Sequence, residues 1–307
     1  LAYTNPKTMV RAAMLRMSDV LTCNIPKERT WEACTAELSA VVGTEVPAES
    51  LLKELEHEGL VILSAGDHDT WFVRLGYQRY GDILRASGIV ERLTGPQGLD
   101  ASSLATRLAV FTPEDEGVLE ALAAVLPERA GVEITEASLG VEPALAHRLL
   151  VRAMVWRSRD SVGYDIDDRV YGALRTPGLW REVYDMCFRV SLVPRHRLNA
   201  SNWLSPFLQN SPLVDRDAFL SVAAFKSFDD KGAVWSLINA ALKANVHRWP
   251  GESRELAVVV LAWLTSVADR RVRDLSAKAM VRLLASQPDL GRVLTVEFQA
   301  TGVIVSL

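Results

Sequence analysis

Asp269-Arg-Arg-Val-Arg-Asp-Leu-Ser-Ala-Lys-Ala-Met-Val-Arg-Leu-Leu284 decides how this chain reads. Val272, Leu275, Ala279, Met280 and Leu283 recur at helical spacing and form one apolar stripe, while Arg270, Arg273, Asp274 and Lys278 face elsewhere. The small residues let a paired helix approach closely. That partner is the apolar segment Glu255–Ser266 just before it, and a second hairpin is expected to begin at Asp289. The pair reads as a HEAT-like hairpin. Such a unit cannot bury its apolar face alone, so the pattern predicts a stacked helical array. Arrays of this kind recognise partners more often than they do chemistry.

Outward from this hairpin the helical signals continue. They predict helices at about 113–126, 140–157, 167–174, 178–190, 199–209, 213–229, 231–245, 252–267, 269–286 and 289–299, with one short strand around Val132-Glu-Ile-Thr135. Thr112-Pro113-Glu114-Asp115 carries the start signal of the first of these: an N-cap, a proline at the first position and acids in the first turn.

The N-terminal part is patterned differently. Residues 6–22, opened by Asn5-Pro6, and residues 29–42 read as helices, and Pro47–Glu58 reads as a third, closed by Gly59. Leu60-Val-Ile-Leu63 and Thr70–Leu75 read as strands around the turn cluster Ser64–Asp69. Three helices and a β-hairpin are the layout of a winged helix, which a helix over Tyr77–Ala86 then leaves. Gly88, Gly95-Pro96 and Gly98 place a linker at 88–102. The expected organisation is mainly α: a winged-helix domain (1–87), the linker (88–102), an irregular helical array (103–250) and HEAT-like repeats (251–307).

The 307 residues suffice for two domains, and 49% apolar content is ordinary for a globular protein. A net charge of −4 argues against a dedicated nucleic-acid binder. Cys23, Cys34 and Cys187 are odd in number and lack paired spacing, which reads as buried thiols in a cytoplasmic protein. The longest apolar run, Leu256–Ala268, is too short to span a bilayer, so no membrane partner is expected. Arg11, Arg16 and Asp19 interrupt any signal-peptide pattern. A start at Leu1 without Met and an apolar end at Val303–Leu307 read as a piece of a longer protein.

Chemistry is sparsely signalled. No phosphate-binding GxxxxGK[ST], GxSxG, HExxH or zinc pattern occurs, and the five histidines, His57, His68, His147, His196 and His247, fall on separate elements. We expect no metal site and no catalytic residue. Asp165-Ile-Asp167-Asp168 lacks the glycine and closing glutamate of a calcium loop and reads as a helix start. Glu49, Glu54, Glu56 and Glu58 oppose only Lys53 on the third helix, and Asp67 and Asp69 flank His68 in the wing, a surface that repels DNA. Two basic sets remain, Arg195 and Arg197 around Pro194, and Arg270, Arg271 and Arg273: they read first as a solvated face paired with nearby acids such as Glu252, Glu255 and Asp274, and otherwise as an interaction surface for an anionic partner. Trp156, Trp180, Trp203, Trp235, Trp249 and Trp263 read as helix–helix packing. A transcription regulator with a helical sensor and a HEAT-like DNA glycosylase are the alternative readings.

Several strings, taken in order, resemble the bacterial STAND NTPases of the antiviral Avs type. Val73-Arg-Leu-Gly-Tyr-Gln-Arg-Tyr-Gly-Asp82 is similar to that family's F-x-Y-E-R-x-x-D stretch, with Gln78 where Glu is usual. Val125–Arg129 and Met154-Val-Trp-Arg157 are similar to its later signatures. Arg195-His-Arg-Leu-Asn-Ala200, Asp215–Phe219 and Ala262–Asp274 are similar to its repeat-side motifs. The resemblance implies an upstream NTPase core of the same protein, which would hold ATP and Mg²⁺ outside this chain. It implies a phage protein as ligand of the repeats and homo-oligomerisation on activation. This chain would be a non-catalytic regulatory and sensing part. Tyr77, Arg79 and Asp82 carry the family signature, and Arg79 is a candidate to approach a nucleotide phosphate in the intact protein.

Overall fold

The structure is a computed structural model that describes residues 6–22, 28–42, 47–66, 70–243 and 246–299. The described chain is mainly helical, as the periodicity predicts, and divides into two compact units, Leu1–Val141 and Glu142–Leu307. Cys23, the turn Asp67-His68-Asp69 and both chain ends lie outside the described residues.

In the first unit, helices α1 (Pro6–Thr22), α2 (Trp31–Val42) and α3 (Ala48–His57) enclose a core that includes Met14, Met17, Leu21, Leu38 and Leu52. Strands β1 (Arg29–Thr30), β2 (Val61–Ala65) and β3 (Trp71–Leu75) form an antiparallel sheet in the order β1-β3-β2, with Leu63 opposite Val73. One face of the sheet closes the core through Val61 and Val73, while Ile62 and Trp71 stay exposed. Helix α3 turns Leu51, Leu52 and Leu55 inward and leaves Glu49, Glu54, Glu56 and Glu58 outside. Gly59 ends it at φ +69°, a left-handed conformation that costs glycine little.

The expected linker at 88–102 is not there. Helix α4 runs from Gln78 to Leu93, beyond the expected end at Ala86, and buries Ala86, Ser87, Gly88, Ile89 and Val90. A tight hairpin of β4 (Thr94–Gly95) and β5 (Gly98–Leu99) follows, with Gly98 at φ +100°. Helix α5 (Ala101–Leu108) then starts on an Asp100 cap. The glycines mark a buried helix face and a hairpin turn, not a flexible connection. Thr112 and Asp115 form a capping box around the 3₁₀ turn Pro113–Asp115, which opens α6 (Glu116–Ala130). The strand expected at Val132–Thr135 is a turn: Glu136 donates its amide to the Glu133 carbonyl, and Ile134 is its buried anchor.

The second unit comprises α7 (Pro143–Ala153), α8 (Ile166–Arg175), α9 (Trp180–Val190), α10 (Ser205–Asn210), α11 (Leu213–Asp229), α12 (Ala233–Lys243), α13 (Gly251–Leu264), α14 (Arg270–Ser286) and α15 (Leu290–Gln299). A single π-helical turn, Ala200–Leu204, leads into α10. Helix α13 is apolar nearly all round and buries every residue from Leu256 to Leu261, as a central helix must. The connection 265–269 folds α14 back along it. Helix α14 buries Val272, Ser276, Ala279, Met280 and Leu283. Leu275, expected on that stripe, is only half-buried, and the small Ser276 takes the inner position. Trp203 stacks on Phe207 at 4.8 Å, and Tyr171 and Tyr184 surround the pair. Trp203 and Trp263 are buried, whereas Trp156, expected between helices, is 58% exposed.

Candidate functional site

The family-signature residues fall on α4, and the structure separates them. Tyr77 precedes the helix and is 68% exposed. Asp82 is buried, and Arg79 is largely covered. Positions 79, 82, 85 and 89 share one helical face, and that face meets α6. The Arg79 guanidinium donates to Glu120 Oε1 at 2.6 Å, and Arg85 donates to Asp115 Oδ1 at 2.8 Å. The Arg85 guanidinium also lies 5.3 Å from the Phe111 ring centroid. A Cβ at Gly117 would sit 2.3 Å from Asp82 Oδ2, so only glycine admits the carboxylate there.

Asp115 does double duty, capping the turn before α6 and holding Arg85. Burial acts to raise its carboxyl pKa, but the Thr112 amide and the Arg85 guanidinium outweigh burial and hold it below the usual carboxylate range. Helix α4 also meets α1. The Ser18 hydroxyl donates to the Gly81 carbonyl, and Arg92 pairs with Asp19 at 2.8 Å. Arg11 and Arg129 both pair with Glu91. No local pattern marks Glu120 or Gly117. Arg85, three residues after Asp82, was the one available clue. A hollow of about 360 Å³ is lined by Val90, Glu91, Thr94 and Arg129, and its two charged walls already pair at 2.7 Å.

The two basic sets are not one surface. Arg195 adopts φ +60° and donates its amide to Glu252 in the first turn of α13. Arg197 pairs with Asp167 at 3.2 Å and lies 5.0 Å from the Tyr164 ring centroid. Arg270, Arg271 and Arg273 begin α14, just past the other end of α13. The 14 residues of α13 separate the sets, a length of about 21 Å. Asp165 pairs with Arg169 at 2.7 Å, so two of the three aspartates at the start of α8 serve arginines.

Nucleophile chemistry is disfavoured at the described cysteines. Burial pushes the Cys34 thiol up to about 11 and Cys187 higher still, which leaves both protonated at neutral pH. His196 is buried, with Nδ1 accepting the Leu198 amide, and burial together with Arg157 lowers its pKa to about 4. His147 pairs with Thr176 at 2.9 Å. Among the described residues no group of three or more metal-ligating side chains converges, and no helix is long and apolar enough to cross a membrane. No protein-family model, no curated protein and no solved structure matches the chain.

Proposed function

We propose that this chain is a non-catalytic regulatory and partner-sensing part of a STAND-type signal-transducing NTPase. In this reading the first unit is a winged helix with an appended helical layer. Three helices closed by an antiparallel hairpin support that assignment. The second unit is a HEAT-like recognition array, and the folding of α14 back along α13 supports it. ATP and Mg²⁺ belong to an upstream core, a phage protein is the ligand, and the active form is a homo-oligomer.

One observation carries the coupling role: α4 is bonded both to α1 and to α6 with the turn that opens it, and its Glu91 is shared between Arg11 and Arg129. A helix shared in this way moves with both layers, so a shift at either side biases the other. Arg79 acts here through Glu120. Release of that pair frees its guanidinium for an anion in the activated state. The DNA-reading alternative loses ground at α3, where Lys53 is tied to Glu49 and the other exposed charges are glutamates.

Calorimetric titration of ATP and ADP with Mg²⁺ tests the reading. No heat of binding is expected from this chain alone. Saturable binding, or ATPase activity in pure material, would return the chain to the enzymes.

A further inference from the structure

Helix α14 exposes five basic side chains, Arg270, Arg271, Arg273, Lys278 and Arg282, against one acid, Asp274. That acid is shared between Arg270 at 3.2 Å and Arg273 at 3.9 Å. Beside this flank, α11 exposes an apolar stripe where a solvated helix would carry polar groups. Val214 is 77% exposed, Val222 42% and Phe225 36%. With Ala218 they fall within an arc of about 80° on the helix surface. Arg271 joins the two helices: its guanidinium lies 5.5 Å from the Phe225 ring centroid and 6.0 Å from that of Phe228, and pairs with Asp229 of α11 at 3.7 Å and with Asp269 at 3.6 Å. Val281, 62% exposed, adds an apolar residue to the basic face of α14.

Single exposed apolar residues are ordinary, but a continuous stripe with a charged rim marks a docking surface. Helix-in-groove recognition supplies the matching chemistry: apolar anchors at i, i+3, i+4 and i+7 fill the stripe, and charges on the flanking positions meet the rim. We infer that the α11–α14 face docks an acidic amphipathic helix of a partner protein. This rests on the recognition role proposed for the second unit and adds the partner's chemistry.

Charge complementarity selects the occupant. A duplex nucleic acid would use the arginines but leave Val214, Val222 and Phe225 in water. The acidic helix of a second copy, α3, has its leucines locked in its own core and offers acids without anchors. Asp215 and Asp217, exposed near the start of α11, turn the partner's acids toward α14 and set the direction in which the helix lies.

The probe is a fluorescein-labelled peptide of about 20 residues, long enough to form a helix. It carries leucine at i, i+3, i+4 and i+7, glutamate at the positions flanking them and alanine elsewhere, because like charges at every other position would unwind the helix. Anisotropy is followed as the intact chain is added at low and at high salt. Saturable binding is expected, weakened by salt and weakened about tenfold by Arg271→Glu or Val222→Asp. A scrambled peptide of the same composition and a lysine-for-glutamate version should fail to bind. Lys53→Glu makes the same change in net charge in the other unit and should change nothing. Both test positions are exposed, so an unchanged thermal melt separates a lost contact from a lost fold.

No rise up to about 100 µM protein, an affinity too weak to be specific, overturns the proposal. So does equal binding by the scrambled peptide, or indifference to both substitutions. Self-association abolished by Val222→Asp would assign the face to a second copy instead. Preference for duplex DNA over the peptide would assign it to nucleic acid. ATP binding by the chain would sink the regulatory reading and leave the peptide result standing, so the two failures are distinguishable.

Discussion

The α4–α6 seam of the first unit and the α13–α14 hairpin of the second are both helix pairs with buried apolar residues, but the seam adds buried charged groups to them. The seam sets polar groups among its buried apolar residues: Arg79–Glu120, Arg85–Asp115 and a buried Asp82 against Gly117, beside Ala86, Ile89, Val118 and Leu122. The hairpin is apolar inside, with Leu256 to Leu261 all buried and Val272, Ala279 and Leu283 facing them. Apolar packing is non-directional and proportional to area. A buried ion pair is directional, and it is costly once one partner is gone. A helix pair that must change state gains from the second kind, because its contacts are held in one geometry and lost together.

The largest effect should come from the apolar pair. Leu261→Ala, at a site with no exposure, should cost about 3 kcal/mol. The denaturant midpoint followed by Trp263 fluorescence would read it, and the loss should be the same at low and high salt. A loss below about 1 kcal/mol would mean that the hairpin repacks around the gap, and the contrast with the seam would collapse.

Arg85→Ala should come close behind, at about 2–3 kcal/mol, because Asp115 is left largely buried with only its Thr112 partner. Here the comparison can be sharpened by pH. The Asp115 carboxyl pKa is depressed in the folded state, so the pair's stability is complete above the unfolded value near 3.8. It is lost as pH falls through the lower folded value. Arg85→Ala should therefore flatten the acid limb of the first unit's stability, read by hydrogen exchange of α6 amides. The double change Arg85→Met with Asp115→Asn keeps a cap and should recover much of the loss. If it recovers nothing, the seam depends on something other than the ion pair.

Gly117→Ala is smaller but reverses a sign. In an exposed helix this change gains up to about 1 kcal/mol. Against Asp82, with 2.3 Å to the new Cβ, it should cost about 1–2 kcal/mol instead. A neutral or stabilised variant would show that Asp82 moves aside freely, and the seam would not be close-packed.

This contrast also explains what could be read in advance. Helices at 6–22 and 213–229 were legible to the residue, and α14 within one, because apolar spacing or a start signal marks each of them. The end of α4 was not. Gly88 sits on a buried face beside Arg92, and Gly95 and Gly98 serve a two-residue turn; glycine is the same letter in a linker, a close contact and a hairpin. The seam was legible only in part. Arg79 and Asp82 could be singled out by resemblance, but Arg85, Glu120 and Gly117 are defined by a helix about thirty to forty residues away, and no local pattern reports that. Arg195 and Arg271 look alike in sequence, and only the length of α13 shows that they lie at its opposite ends.

The smallest predicted effect concerns a polar device of the apolar hairpin, the cap of its second helix. Asp269 caps α14, accepting the Arg271 and Val272 amides at 2.9 and 3.0 Å. The Val272 amide is the chief reason that its carboxyl lies below the usual range. Asp269→Ala should cost about 1 kcal/mol, and Asp269→Asn only a few tenths, because the amide oxygen still accepts. Both should leave the acid limb of the first unit untouched, since the cap lies in the other unit. The cap also fixes where Arg270, Arg271 and Arg273 leave the helix. Asp269→Ala should therefore weaken the docking of an acidic helix more than its stability cost alone explains, whereas Asp269→Asn should not. Equal docking by both variants would mean that the arginines find their partner without the cap, and that the cap is structural only.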